Sequence, residues 1–270
     1  MSRNIDHHKP YELGRVVALS STSAYMFRVV FREEALTAKG VLARCLECFS
    51  RADAPVLSLH VSWSDRSRDL WAFIVAGIRD PATAKRVAEC LGQVSMVESV
   101  DYTPPVSNGV AADPWGYPPL LGGERAIILR GEALRNFLVS GWSQLGTGFG
   151  SILYYTFFEA GASLYRDFYS KLLKDRRSVA VLAERAFTLM GYGVLKILEW
   201  GDGSFVARVY DNFECQALKE IEEAESMMIR GLLAGMVAAS WGQSIKGVLP
   251  EETKCIKRGD PYCEFVIRRR

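Results

Sequence analysis

A stretch rich in proline and glycine near the middle of the chain is the strongest constraint on its fold. Residues 103–123 read TPPVSNGVAADPWGYPPLLGG, with five prolines and four glycines in 21 residues. Proline removes a backbone donor and fixes φ, so neither a helix nor a central strand continues through such a stretch. The 270-residue chain therefore divides into two domains. We expect a first domain over residues 18–102, a linker over 103–121 and a second domain over 122–270.

The first half alternates between strand and helix patterns. Apolar and β-branched runs predict strands, whereas apolar residues at helical spacing predict helices. Asp80 and Pro81 mark the start of the second helix, because Asp caps helix N-termini and Pro is tolerated at the first helical position. The predicted elements are strand 25–31, helix 36–51, strands 56–63 and 70–78, a helix from Pro81 and strand 97–102. Their order, βαββαβ, is that of ferredoxin-like domains, which have an α+β fold.

At this length, the pattern over residues 18–102 resembles the ACT and ACT-like regulatory modules. The resemblance lies in the order of elements, and it implies small-ligand sensing or side-by-side dimerisation. The glycine-rich first turn of the amino-acid-binding members is replaced here by Arg32, Glu33 and Glu34. A dimerising role is therefore favoured. We expect a homodimer, because association removes unpaired sheet edges.

The composition excludes several classes of protein. No apolar run reaches the roughly 18 residues of a membrane span, so no membrane insertion is expected. The net charge of +2 gives no field that favours nucleic acid. Six cysteines are too few for a disulfide scaffold, and the polar start of the chain is not a secretory signal. We therefore expect a cytoplasmic protein with reduced thiols. Cys45 and Cys48 form a CxxC inside a predicted helix, where packing is favoured over a redox or metal role.

The second half predicts a helical layer and an antiparallel sheet. Glycines separate the predicted helices, and Gly201-Asp202-Gly203 is a strong hairpin signal. Gly231 and Gly235 lie in a helix of small residues and permit close backbone contact. The predicted elements are strand 125–130, helices 132–145, 149–173 and 178–190, strands 194–200 and 204–212, helix 227–241, and two strands within 255–268.

Several segments of this half resemble the 4-vinyl reductase domain. They are GGERAIILR at 122–130, FEC at 213–215, RGLLAG at 230–235 and EETKCIKRGDPYCEFVI at 251–267. The resemblance implies an α+β fold shared with the ligand-binding domains of aromatic-sensing transcriptional activators and with a Golgi transport subunit. The family name also implies reduction of a vinyl group.

The same resemblance implies a metal site near the C-terminus. Glu252, Cys255 and Cys263 have the spacing E-x2-C-x7-C, which in the phenol-sensing relatives supplies three ligands of a structural zinc. The fourth cysteine of those relatives is replaced by Ser226 or a neighbour, and serine is a poor zinc ligand. Cys215 is a substitute if its strand lies beside the C-terminal hairpin. The alternative is that these cysteines are packed thiols without a metal.

Aromatic residues on the first two predicted helices of this half suggest a ligand site. Pockets for apolar ligands are lined in this way, with a few polar groups for orientation. An ordinary core or a dimer interface is the alternative. Tyr154 and Tyr155 cannot both face inward, because adjacent helical residues diverge by about 100°. The residues predicted to bind the ligand are Trp142, Phe149, Tyr154, Tyr155 and Phe158.

No catalytic set, P-loop or dinucleotide fingerprint is recognisable in the chain. The leading hypothesis is therefore a sensor or regulator that binds an apolar or aromatic small molecule, including a hydrocarbon. The alternatives are a vinyl-group reductase, which would need a hydride donor, and an adaptor or assembly subunit. Regulation of transcription would need a partner or an unrecognised DNA-binding element.

Overall fold

The computed structural model describes residues 8–10, 12–19, 23–63, 69–107 and 109–270. The predicted polar turn over 64–68 lies outside them. Two compact units share the chain, one over Pro10–Ile127 and the other over Ile128–Arg270. Each unit is considered separately below.

The first unit contains the predicted βαββαβ succession. Its main sheet has the order β3-β4-β2-β5, and every neighbouring pair is antiparallel. The elements are β1 (Val16–Ala18), β2 (Ala24–Phe31), α1 (Val41–Arg51), β3 (Val56–Trp63), β4 (Leu70–Gly77), α2 (Pro81–Gly92), β5 (Val97–Thr103), β6 (Val110–Ala112), β7 (Leu120–Leu121) and β8 (Glu124–Arg125).

Alternation along the central strands builds the core of this unit. Phe27 and Val29 of β2 share one face of the sheet with Ile74 of β4, and these residues pack in one cluster with Phe49 of α1 and Val87 of α2. The predicted start of α2 is confirmed. Asp80 caps it by accepting a hydrogen bond from the backbone N–H of Thr83 at 2.8 Å, and Pro81 is its first residue.

The opposite face of the sheet is covered by the segment that we predicted to be a linker. Within it, β6 pairs with β1, and Ala111 is buried together with Met26 and Phe73. Asp113 forms an ion pair with Arg15 at 2.6 Å. Because these contacts hold the segment on the first unit, the division between the units falls after Ile127, later than the predicted linker.

Two further predictions in this region are wrong. The strand predicted over 125–130 is limited to Glu124–Arg125 in the short β7–β8 hairpin. Ile127 and Ile128, which follow it, are 85% and 63% exposed, so their β-forming character is not matched by a pairing strand. The cysteines are also not all thiols. Cys48 of α1 is bonded to Cys90 of α2, whereas Cys45 is a buried free thiol.

The second unit places helices against a four-stranded antiparallel sheet of order β11-β12-β10-β9. The helix predicted over 149–173 is interrupted, because α4 passes into a π-helical segment at Leu164–Tyr169. The elements are α3 (Gly131–Leu145), α4 (Thr147–Ser163), α5 (Ser170–Leu172), α6 (Arg176–Leu189), β9 (Val194–Trp200), β10 (Ser204–Tyr210), α7 (Phe213–Ala217), α8 (Met227–Ser240), β11 (Val248–Lys254) and β12 (Cys263–Arg269).

Close packing of α8 on α4 fixes the helical layer. A Cβ atom on Gly235 would overlap the carbonyl oxygen of Phe158, and one on Gly231 would lie 2.5 Å from the carbonyl oxygen of Tyr154. The predicted close approach at these two glycines is therefore confirmed. α8 is almost entirely buried, so its position relative to α4 and to the sheet is set by backbone shape.

Candidate metal centre and ligand cavity

Four potential metal ligands meet at one end of the second sheet. The Sγ atoms of Cys215, Cys255 and Cys263 and one carboxylate oxygen of Glu252 all lie within 4.8 Å of one another. Cys215 is 3.5 Å from both other sulfurs, which are 3.9 Å apart, and 3.8 Å from Glu252 Oε1. The three thiols are buried. The arrangement could hold a metal ion.

Each ligand is positioned by a different part of the fold. Cys263 begins β12, Glu252 lies on β11 beside a break in register, and Cys255 directly follows β11. Cys215 lies on the short helix α7, so the strand that we expected to carry it is wrong. Asn212 caps α7 by accepting a hydrogen bond from the backbone N–H of Cys215 at 3.2 Å.

The turn between β11 and β12 is built around Cys255. Its backbone N–H donates to Asp260 Oδ2 at 2.8 Å, and its carbonyl accepts from Arg258 N–H at 2.9 Å. Gly259 has φ = 89°, which a residue with a side chain rarely adopts. The Gly-Asp-Pro sequence thereby folds the chain so that Cys255 and Cys263 face one point.

The sulfur separations fit a tetrahedral thiolate site. With Zn–S bonds of about 2.3 Å, tetrahedral geometry requires sulfurs about 3.8 Å apart. The observed separations of 3.5, 3.5 and 3.9 Å bracket that value. A carboxylate oxygen 3.8 Å from Cys215 occupies the remaining corner.

The electrostatics of the cluster favour a bound cation. Burial raises the pKa of the Glu252 carboxyl to about 8. Donation from the Cys215 and Cys263 thiols lowers the pKa of Cys255, and the backbone N–H of Lys257 adds to this effect. In contrast, its interaction with Cys255 raises the pKa of Cys215. Three thiols and a carboxyl therefore share protons in a buried site, and a divalent cation would remove this mutual repulsion by replacing those protons.

Ser226 lies beside the cluster and has a different role. Its hydroxyl donates to the carboxylate of Glu214 at 2.7 Å, and the backbone N–H groups of Met228 and Ile229 donate to the same carboxylate at 2.7 and 2.9 Å. Glu214 is fully buried and acts as a cap for the first turn of α8. Burial raises its pKa to about 7. Sequence reasoning missed this residue, since a cap donated by another helix leaves no local spacing to detect.

The predicted ligand-binding aromatics fall into two groups. Trp142, Phe149 and Phe158 are buried in apolar clusters. Among the described residues, Trp142 Nε1 is a buried side-chain polar atom without a hydrogen-bond partner. Tyr154 is partly buried against the core, whereas Tyr155 is 60% exposed. Adjacent positions on α4 thus point in different directions.

Tyr154 and Tyr155 line a cavity of about 640 Å³, which is called the Tyr155 cavity below. Its volume is within the usual range for small-molecule sites. The remaining lining residues come from the turn after α8, from β11 and from the end of the chain: Ile245, Lys246, Val248, Leu249, Pro250, Glu251, Arg268 and Arg270. A smaller cavity of about 430 Å³ lies between α5 and α6, lined by residues that include Leu173, Val181 and Arg185.

Residues 205–269 match the family model of the 4-vinyl reductase domain. The match contains the four clustered ligands and every strand of the sheet except β9. No curated protein matches the chain.

Three solved structures illustrate the similarity of the second half to known proteins. The phenol-responsive sensory domain of the transcription activator PoxR, with phenol, is 20% identical, with a TM-score of 0.46, over 56% of this chain and 79% of that one. A vinyl-4-reductase family protein from Methanocaldococcus jannaschii is 18% identical, with a TM-score of 0.36, over 54% and 84%. A trafficking protein particle complex subunit 3 from Naegleria fowleri, covalently bound to palmitic acid, is 19% identical, with a TM-score of 0.39, over 52% and 95%.

In the part of the chain that the structure describes, no helix combines the length and apolar character needed to cross a bilayer.

Proposed function

We propose that the second unit is a sensory module that binds an apolar or aromatic small molecule in the Tyr155 cavity. The observation that carries the proposal is the position of this cavity. It joins two aromatic side chains of α4 to a strand, β11, that lies within the segment matched by the family model. Apolar walls with a few polar groups are the common form of small-molecule sites.

Ligand binding at this place has a route to the rest of the unit. β11 lines the cavity with Val248 to Glu251, and its next residue is the metal-ligand candidate Glu252. α4 lines the other side, and it packs directly on α8. A ligand that moves either element would therefore alter the packing around the buried helix, which is the kind of change that a sensor transmits to a partner.

The proposal is tested by titrating the full chain with 4-phenylbutanol in a calorimeter. Tyr155→Ala should weaken binding about tenfold, because loss of a ring face removes on the order of 1–2 kcal/mol of contact. Ile152→Ala is the control, since Ile152 is 57% exposed on the same helix and lies outside the cavity lining. Equal affinities for all three proteins would contradict the assignment. Stoichiometric oxidation of NADPH with a vinyl-substituted probe would favour the reductase alternative.

We also propose that the metal is zinc and that its role is structural. Three thiolates and a carboxylate are ligands that zinc accepts, and together they fill a tetrahedral shell. A closed shell leaves no position for a reacting water. Zinc here would bind α7 to the β11–β12 turn, and it would keep in place the strand that forms one wall of the cavity.

For the first unit we propose an ACT-like, dimerising role through the edge strand β3. Leu59, Val61 and Trp63 lie on the helix-facing side of the sheet but are 38%, 40% and 40% exposed. An exposed apolar edge is stabilised by pairing with a second copy. Val61→Glu should convert the dimer to a monomer in sedimentation equilibrium, whereas Val106→Glu, at a 75% exposed position outside β3, should not. A monomeric wild-type protein at micromolar concentration would contradict the proposal.

A further inference from the structure

We propose that the Tyr155 cavity selects ligands that carry an anionic group on their apolar or aromatic body. This inference rests on the proposed function and adds the chemical class of the ligand. A neutral phenol or hydrocarbon would leave part of the cavity lining unused.

The charges around the cavity are unequal. Lys246, Arg268 and Arg270 contribute three cations to its lining, whereas Glu251 contributes one carboxylate. Glu251 lies 3.5 Å from Arg268, and both side chains are about 60% exposed, so the pair is weak and screened by solvent. In the part of the chain that the structure describes, the side chains of Lys246 and Arg270 have no acidic partner. Two cations at the cavity therefore remain available to a ligand.

The fold holds these two cations on the same side of the cavity. Lys246 lies in the one-turn helix Ile245–Gly247, between α8 and β11. The backbone N–H of Arg270 donates to the carbonyl oxygen of Gly247 at 3.0 Å, which attaches the end of β12 to that turn. Arg268 is paired with Leu249 in the β11–β12 register. The basic groups are thus brought together by backbone hydrogen bonds.

The other side of the cavity suits an apolar body. Tyr154 and Tyr155 of α4 have ring centroids 5.8 Å apart and meet edge to face. Burial raises the pKa of Tyr154, so its hydroxyl stays neutral and adds no negative charge. Val248 and Pro250 supply aliphatic surface from β11. An aromatic or acyl body would lie on these groups, while its carboxylate or phosphate would accept charge-assisted hydrogen bonds from arginine and lysine.

The experiment compares two probes of the same shape, 4-phenylbutanoate and 4-phenylbutanol, by calorimetry on the full chain. We expect the anion to bind about tenfold more tightly than the alcohol, the effect of one hydrogen bond to a charged group. That advantage should shrink as salt is raised, because the cations are exposed. Equal affinity for the two probes would overturn the anion selectivity while leaving the proposed function intact. Failure of both probes to bind would contradict both proposals.

Variants locate the effect within the cavity. Arg270→Gln and Lys246→Gln should each reduce the affinity for 4-phenylbutanoate and leave the affinity for 4-phenylbutanol unchanged. Arg269→Gln is the matched control, because Arg269 is an exposed neighbour that does not line the cavity. If Arg269→Gln weakens the anion as much as Arg270→Gln, the preference is a general effect of positive charge, and the proposed selectivity is wrong.

Discussion

The two units use cysteine in different ways. In the first unit Cys48 and Cys90, 42 residues apart, are bonded to each other and connect two helices. In the second unit, Cys215, Cys255 and Cys263 lie within 3.5–3.9 Å of one another without a bond between them, and a buried carboxyl completes the group. Pairs of thiols form covalent cross-links, whereas three thiols and a carboxyl can share one ion. The number of groups at each place, more than their spacing in sequence, therefore decides the chemistry.

The largest effect is expected from breaking the cysteine and glutamate cluster. Cys263→Ser should remove the zinc and lower the free energy of unfolding of the second unit by about 4 kcal/mol or more, because loss of a structural metal is among the most destabilising single changes. Zinc content and thermal unfolding would be measured together. Cys45→Ser, which alters a buried thiol outside the cluster, should keep its zinc. Full zinc content in Cys263→Ser would mean that the metal is elsewhere.

Loss of the covalent cross-link should cost less. Cys90→Ser is expected to destabilise the first unit by about 2–4 kcal/mol, the usual value for a disulfide that closes a loop of this size. The same loss should follow in the wild-type protein after reduction. Zinc content should not change. Wild-type protein whose unfolding is insensitive to reductant would show that Cys48 and Cys90 are not bonded in solution.

A smaller effect is expected at the buried carboxylate next to Cys215. In Glu214→Gln one carboxylate oxygen becomes an NH₂ group that faces donors, so the hydrogen bonds to Met228, Ile229 and Ser226 cannot all be kept. We expect a loss of about 1–3 kcal/mol with zinc retained. Glu225→Gln is the control, since that side chain is 58% exposed. Loss of zinc in Glu214→Gln would show that α7 and the metal cannot be separated.

Sequence reasoning was most accurate where the governing interactions are local. The cap at Asp80, the close approach at Gly235 and the spacing of Glu252, Cys255 and Cys263 are each contained within a short segment. The disulfide was missed because Cys48 and Cys90 meet only after two helices have packed on a sheet.

Other parts of the candidate site could not be predicted, for similar reasons. Trp142, Phe149 and Phe158 were expected to bind the ligand, but an aromatic helix residue has the same local signal in a core as in a cavity. The basic side of the Tyr155 cavity combines a turn after α8 with the end of β12, and only the folded sheet brings those segments together.

Zinc K-edge absorption spectroscopy on protein purified without chelator tests the central claim of this account most directly. The measurement reports the atoms bound to the metal. We predict one zinc per chain with three sulfur ligands at about 2.3 Å and one oxygen ligand at about 2.0–2.2 Å. Cys263→Ser should lose this signal, and Cys45→Ser should retain it. Protein without zinc, or zinc surrounded only by nitrogen and oxygen, would contradict the assignment of Cys215, Glu252, Cys255 and Cys263 as its ligands.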